Sequence, residues 1–152
     1  MQNAIDFNGF IQVAIIVRDI EKAAKEWCEL FDAPMPKIRE YNATADNDIT
    51  YRGKKAIYGL KLASIDARDR GFIIELHEPT GGESTFQEFL DKHGQGVHHL
   101  GFEAGGRRDA IIGELEEKGY EMRTIGLYPG SSWTIVDSED KLGVNLNIKP
   151  KR

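Results

Sequence analysis

Short apolar runs alternate along the chain with polar, turn-rich stretches, and the runs fall into two matching series. Residues 10–17 are nearly continuously apolar with one amide, Gln12, in their midst, which is a strand pattern. Asp19 is placed to cap a following helix over 21–31, with Lys22 and Lys25 on its wet side and Ala23, Trp27, Leu30 and Phe31 on its dry side. Pro34 and Pro36 stop that helix. A polar loop around a short strand is expected at 40–48, then a strand at 56–65, a tight charged turn at 66–70 and a strand at 71–77. Pro79-Thr80-Gly81-Gly82 breaks the pattern ahead of a short helix at 84–92 capped by Ser84. The second series has a strand at 97–104, a helix at 108–118, and strands near 120–125, 132–137 and 143–148. Its turns come at Gly119, at Tyr128-Pro129-Gly130 and over 137–143.

The two series superimpose. Laying Gln12 on His99 sets Ile11, Val13, Ala14 and Ile15 opposite His98, Leu100, Gly101 and Phe102, and sets helix on helix. At the far ends Phe72-Ile73-Ile74-Glu75-Leu76 matches Val144-Asn145-Leu146-Asn147-Ile148, with Glu75 opposite Asn147. Each half therefore reads βαβββ. A single sheet of that kind leaves one face uncovered, so two should close on each other. The expected fold is α+β, with two βαβββ modules forming a curved mixed sheet around a shared cup. The first module spans 8–78, a linker with a short helix 79–95, and the second module 96–149.

Side chains alternate across a strand, so facing follows from position. Gln12, Ala14 and Ile16 share one face; so do Ile73, Glu75 and His77; so do Val97, His99, Gly101 and Glu103; and so do Asn145 and Asn147. A pseudo-two-fold relation between the modules brings Gln12, Glu75, His99 and Asn147 to one cavity. His98, by alternation, faces the other way, against a helix or an interface. Imidazole and carboxylate on neighbouring strands suit several divalent first-row ions, whereas amide carbonyls are poorer ligands. The same histidine also suits a hydrogen-bonded core role. Glu75 interrupts an apolar run, and a buried carboxylate without a partner is costly. That directs it to metal binding or proton transfer, with His77 on the same face as a substitute ligand.

Composition narrows the partners. The chain has 152 residues, a net charge of −5 and a sequence pI near 5.4, which argues against nucleic acid or an anionic membrane as the main partner. The basic tail Lys149-Pro150-Lys151-Arg152 reads as a solvated end. Cys28 is the single cysteine, so no internal disulfide forms; its place in an amphipathic helix fits a buried structural thiol. No apolar run reaches the roughly 18 residues of a spanning helix, and no signal pattern opens the chain. A cytoplasmic protein is expected. No phosphate loop and no Ser/His/Asp or Cys/His arrangement stands out.

These residues carry a resemblance. The stretch Ile74-Glu75-Leu76-His77-Glu78-Pro79, the segment 83–94 and Gly96-Val97-His98-His99 together resemble the vicinal oxygen chelate superfamily, which includes glyoxalase I, methylmalonyl-CoA epimerase, extradiol dioxygenases and bleomycin-resistance proteins. The resemblance runs from Phe10 to Ile148 and is closest to the methylmalonyl-CoA epimerase and lactoylglutathione lyase-like branch. The Asp137…Leu142-Gly143-Val144 hairpin adds to it. It implies a divalent metal (cobalt, manganese, nickel or zinc) held at the positions of Gln12, Glu75, His99 and Asn147. Two of these match the branch. Gln12 stands where a His is expected, and Asn147 where a Glu is expected. The branch's second catalytic carboxylate falls on Tyr58, so Glu75, Tyr58 and Asn147 are the implied catalytic positions.

The activity that follows from the resemblance is a metal-assisted isomerase or lyase acting on a small oxygenated acyl compound, an acyl-CoA thioester among the candidates. Loss of a charged ligand and base at Asn147 sets against it a metal-independent, small-molecule-binding protein of the same fold. The resemblance further implies a homodimer.

Overall fold

The computed structural model describes residues 1–44, 48–128 and 131–150. Pro129 and Gly130 of the expected turn, residues 45–47 of the expected loop, and Lys151 and Arg152 of the tail lie outside them. Strand β1 (Phe10–Ile16) leads to Asp19, whose carboxylate accepts the Lys22 backbone N–H at 3.1 Å and opens α1 (Ile20–Phe31). A cap of this kind stabilises a helix by about 1 kcal/mol. Then come β2 (Arg39–Ala43), a small hairpin of β3 (Thr50–Tyr51) and β4 (Lys54–Lys55), β5 (Tyr58–Ala67) and β6 (Phe72–Gly82). Ser84 caps α2 (Thr85–His93) through the Gln87 N–H at 3.0 Å. The second half is β7 (Gly96–Glu103), α3 (Arg108–Glu117), β8 (Met122–Tyr128), β9 (Ser131–Val136), the one-turn α4 (Glu139–Leu142) and β10 (Asn145–Lys149).

Eight strands form one sheet in the order β2-β5-β6-β1-β7-β10-β9-β8. β1 is parallel to β6 and β7 is parallel to β10, while every other neighbouring pair is antiparallel. Each half is thus βαβββ, with the β3–β4 hairpin as an addition to the first. β6 runs on to Gly82, so the stretch expected as a linker begins inside a strand. The modules meet at the β1–β7 pair, whose register shifts twice, between Phe10 and Gln12 and between Ala14 and Ile15. Ile11 is the extra residue on β1, and His98 is the extra residue on β7.

Both long helices pack on the convex side. Ile20 and Ala24 of α1 bury against Ala63, Ile65 and Leu76; Ile111, Ile112 and Leu115 of α3 bury against Phe102, Val136 and Ile148. The dry side expected for α1 is shorter than its sequence suggests. Leu30 and Phe31 are 78% and 68% exposed because the last turn of α1 contributes no residue to the core cluster, and Phe31 stacks on Trp27 instead. Cys28 is buried, with its thiol donating to the Pro34 carbonyl, as expected for a structural cysteine.

The sheet curls until its far ends approach. Tyr41 on edge strand β2 meets Trp133 of β9 edge-to-face, with ring centroids 5.3 Å apart. Ile49 bridges to Gly126 of edge strand β8, and the Arg52 backbone N–H donates to the Arg123 carbonyl at 2.8 Å. Gly126 is required here, since a Cβ at that position would run into the indole of Trp133. Across the same seam Arg52 pairs with Glu88 and Asp137, while buried Arg123 pairs with Asp137 at 3.0 Å and Glu139 at 2.9 Å. α2 covers one end of the cup, with Phe86 and Phe89 in a cluster with Ile16, Ala43, Ile49, Ala56, Tyr58 and Leu60. Among the described residues no helix is long and apolar enough to cross a membrane.

Candidate functional site

Inside the curl lies a cavity of about 300 Å³, at the small end of the range for ligand sites. Strand registry brings its floor together: Ala14 pairs with both Glu75 and His99, Asn145 pairs with His99, and Asn147 pairs with Gly101. Glu75, His77, His99 and Asn147 line the cavity, as their strand positions predict.

Glu75 does not stand alone. Its Oε1 lies 2.7 Å from His77 Nε2, and the Ser64 hydroxyl donates to Oε2 at 3.4 Å. Burial by itself would raise the Glu75 pKa. The hydrogen bond and charge of His77, with Lys149 and Arg39 nearby, outweigh that and bring it down to about 2. The carboxylate therefore stays ionised at neutral pH and orients the imidazole.

His99 is 1% exposed, and its Nε2 has no hydrogen-bond partner among the described residues. Its Nδ1 lies 2.9 Å from His98 Nδ1. Burial, then the neighbouring His98 and His77, hold its pKa well below the usual imidazole value, so the ring is neutral. Burial likewise lowers His98, to about 3. His98, expected to face away from the cup against a helix or an interface, meets a helix: its ring packs between Phe86 and Phe89 of α2. Phe86 also lines the cup, so the ring does not turn fully away from it. The bulge adds a link that alternation hides, because it joins the two adjacent histidines ring to ring. It also moves Val97 off the cup face: Val97 pairs with Ile15, and it is 44% exposed.

The two amides behave differently from each other. Asn147 Oδ1 accepts the Thr134 backbone N–H at 3.1 Å. Gln12 is 1% exposed and lies over Gly101, where a Cβ would come within 2.7 Å of its Oε1; that oxygen has no partner among the described residues. Gln12 is not among the cavity-lining residues, and neither is Tyr58. The Tyr58 ring packs near Tyr41 and Phe86, and burial raises its pKa, so the phenol keeps its proton and is no base near neutral pH.

The implied metal set does not fit this arrangement. Among the described residues no three His, Cys, Asp or Glu side chains come together to hold an ion. Glu75 is engaged by His77 and Asn147 Oδ1 by a backbone N–H, and two of the four implied positions are neutral amides; His99 Nε2 and Gln12 Oε1 have no hydrogen-bond partner among the described residues.

Two cations were missed from sequence. Lys149, expected in a solvated tail, is 5% exposed and lines the cavity, and Arg39 at the start of β2 lines it as well. The spacing Asn145, Asn147, Lys149 puts all three on one strand face, which is the signal that would have placed Lys149. Apolar walls come from Tyr41, Leu60, Leu62, Phe86, Trp133 and Ile135.

The chain matches the Glyoxalase/Bleomycin resistance protein/Dioxygenase superfamily over residues 11–136. It belongs to that superfamily. No curated protein matches it in sequence. Among solved structures, this glyoxalase-superfamily chain is similar to the methylmalonyl-CoA epimerase of Mycobacterium tuberculosis, at 20% identity over 95% of this chain and 89% of that one, with a TM-score of 0.64. It is also similar to a variant methylmalonyl-CoA epimerase of Streptomyces coelicolor in complex with 2-nitronate-propionyl-CoA, at 18% identity, covering 97% of this chain and 99% of that one, with a TM-score of 0.64. A hypothetical protein of Bacillus halodurans matches at 19% identity, covering 94% of each chain, with a TM-score of 0.63. At these identities the likeness establishes the glyoxalase-like fold.

Proposed function

We propose that this protein is an isomerase- or lyase-type enzyme that moves a proton next to a carbonyl group on a small acyl compound bearing a negative charge. The observation that carries this reading is the buried Nε2 of His99, which has no partner among the described residues, on a side chain that lines a cavity also holding the Glu75–His77 pair and two cations. The neutral His99 imidazole takes a proton from the carbon next to the carbonyl, and the electron pair moves to the carbonyl oxygen. Lys149 and Arg39 lie on the wall where that negative charge collects and favour it. His77, oriented by ionised Glu75, is the second proton-handling group, and Trp133, Phe86 and Ile135 keep water from the reacting carbon. In this reading the residues of the cup act without a resident metal.

An acyl-CoA thioester is the proposed substrate class, with the acyl end in the cup, and a homodimer is the proposed working form, which sedimentation velocity would check. The epimerase of the Streptomyces complex binds a CoA derivative on the same fold, which supports the choice of first substrate. The test is solvent deuterium incorporation into methylmalonyl-CoA by chelator-treated protein, followed by mass spectrometry. Exchange that disappears in His99→Ala supports the reading. If calorimetry shows the ligand binding while no deuterium enters, the second reading holds, a small-molecule-binding protein without turnover. The mostly apolar walls favour that alternative. Exchange that returns only with added cobalt, manganese, nickel or zinc would overturn the metal-independent mechanism.

A further inference from the structure

Three buried groups form a chain that ends at the cavity. Thr85, the first residue of α2, is fully buried, and its Oγ1 lies 3.0 Å from His98 Nε2. His98 Nδ1 lies 2.9 Å from His99 Nδ1. The far nitrogen of His99, Nε2, is buried with no partner among the described residues, and His99 lines the cup.

Two neutral imidazoles joined Nδ1 to Nδ1 require that one donates and the other accepts. The His99 end decides which: a buried N–H left without a partner is rarer than an unpaired acceptor, and His99 Nε2 is buried with no partner among the described residues, so the His99 proton belongs on Nδ1. His98 then accepts at a bare Nδ1 and carries its own proton on Nε2, directed at Thr85. The His98 ring is fully buried, with ring centroids 5.1 Å from Phe86 and 5.3 Å from Phe89, and its backbone carbonyl is held by Asn145 Nδ2 at 3.2 Å. Packing of that density resists the ring flip that would reverse the chain.

We propose that His98 is a positioning residue: through the Thr85–His98–His99 chain it holds His99 as the Nδ1-protonated tautomer and so presents a bare Nε2 lone pair to whatever occupies the cup. The orienting partner of His99 is thus a second imidazole, in the place where a carboxylate or backbone carbonyl commonly serves. The catalytic consequence rests on His99 being the proton acceptor; the tautomer does not.

Long-range proton–nitrogen NMR of the histidine rings at neutral pH tests this directly. The expected result is a pyridine-type Nε2 and a protonated Nδ1 for His99 in the wild-type protein. His98→Phe keeps an aromatic ring between Phe86 and Phe89 but removes the acceptor, and should give averaged, mixed-tautomer signals for His99. Thr85→Val is the milder variant, and it decides the matter if His98→Phe does not fold. Deuterium exchange in either variant should fall by about tenfold in kcat with KM little changed. A proton on Nε2 in the wild type, or His99 signals identical in wild type and variants, would overturn the proposal. The predicted tautomer shift without any exchange activity in the wild type would leave it standing and remove only the proposed reaction.

Discussion

Acid should unfold this protein earlier than its carboxylates alone would allow, because its core holds two histidines that cannot easily be charged. His98 has an ordinary pKa of 6.5 in the unfolded chain and about 3 in the fold, where burial is the main cause, followed by the charges of His77 and Arg123. A folded pKa below the unfolded one means that, under pH 6.5, the unfolded chain binds a proton that the native state refuses. Stability is therefore full above that pH and drains away as pH falls. Each pH unit costs roughly 1.4 kcal/mol per such group, so between pH 6.5 and 4.5 His98 removes about 3 kcal/mol. His99, lowered by burial and by His98 itself, acts in the same direction, and the pair takes up protons as a coupled unit. Against a typical total of about 5–15 kcal/mol this is a large fraction. Urea midpoints measured at half-unit steps from pH 7.5 to 4.5 would follow it. His98→Phe should start from a lower midpoint and show a slope shallower by about 1.4 kcal/mol per pH unit. A wild-type midpoint that stays flat down to pH 4.5 would refute the reasoning, as would a slope that the substitution leaves unchanged.

Other perturbations give equally definite outcomes. Below pH 4.5 a second loss should set in as Glu75 and Glu139, both brought down to about 2 despite burial, begin to be protonated in the unfolded chain first; far-UV circular dichroism between pH 4.5 and 2 would detect it. Glu75→Gln keeps the shape of the site but removes the charge that orients His77, so proton exchange should fall by about a hundredfold and the melting temperature should drop as well, because the ionised carboxylate stabilises the fold; unchanged exchange would remove Glu75 from the mechanism. Gly101→Ala should destabilise by about 1–3 kcal/mol, since the new methyl meets Gln12, and the cost should shrink when paired with Gln12→Ala. Additive effects in that double-mutant cycle would mean that the two residues do not share the space. Chelator treatment should leave the melting temperature unchanged; a clear drop would show that an ion stabilises the fold.

The fold was legible in the sequence because its two signals, strand alternation and the repeated βαβββ order, are local and periodic. The floor of the site followed from the same rule: Glu75, His99 and Asn147 share one face because Ala14 pairs with both Glu75 and His99, and Asn145 with His99, in the stretch between the two bulges. What escaped was set by contacts that no single strand reveals. The pairing of Glu75 with His77 joins positions two apart on one strand, which sequence marks only as neighbours on a face. Lys149 was hidden by its place near the end of the chain, where basic residues usually face solvent, although β10 holds it beside the cavity. Leu30 and Phe31 continue the apolar stripe of α1, but the sheet stops before the helix does. Tyr58 was placed by correspondence with the epimerase branch and Gln12 by strand facing and the repeat, and neither fixes where a side chain ends.

The two bulges in the β1–β7 pair have a joint effect that neither has singly. At both ends of the pair, Phe10 with Phe102 and Ile15 with Val97, the strands run in one phase; the stretch between them, from Gln12 to Ala14, is slipped by one residue. Were the outer phase continued through the middle, Gln12 would pair with Leu100 and Ala14 with His98, sending Gln12 and His99 to opposite sides of the sheet. Ile11 and His98 occupy the same position in the two repeats, so the slip is opened by one module and closed by the other. Deleting either residue alone should throw the strand beyond it out of phase. Deleting both should give a continuously paired sheet in which Gln12 still opposes Gly101 and Ala14 still opposes His99, so the amide and the imidazole keep one face while Phe10, Ile15 and Val97 change sides relative to them. How the polar floor of the cup is phased against the ends of its central strand pair is thus a product of counting, one surplus residue per module, before it is a product of side-chain chemistry.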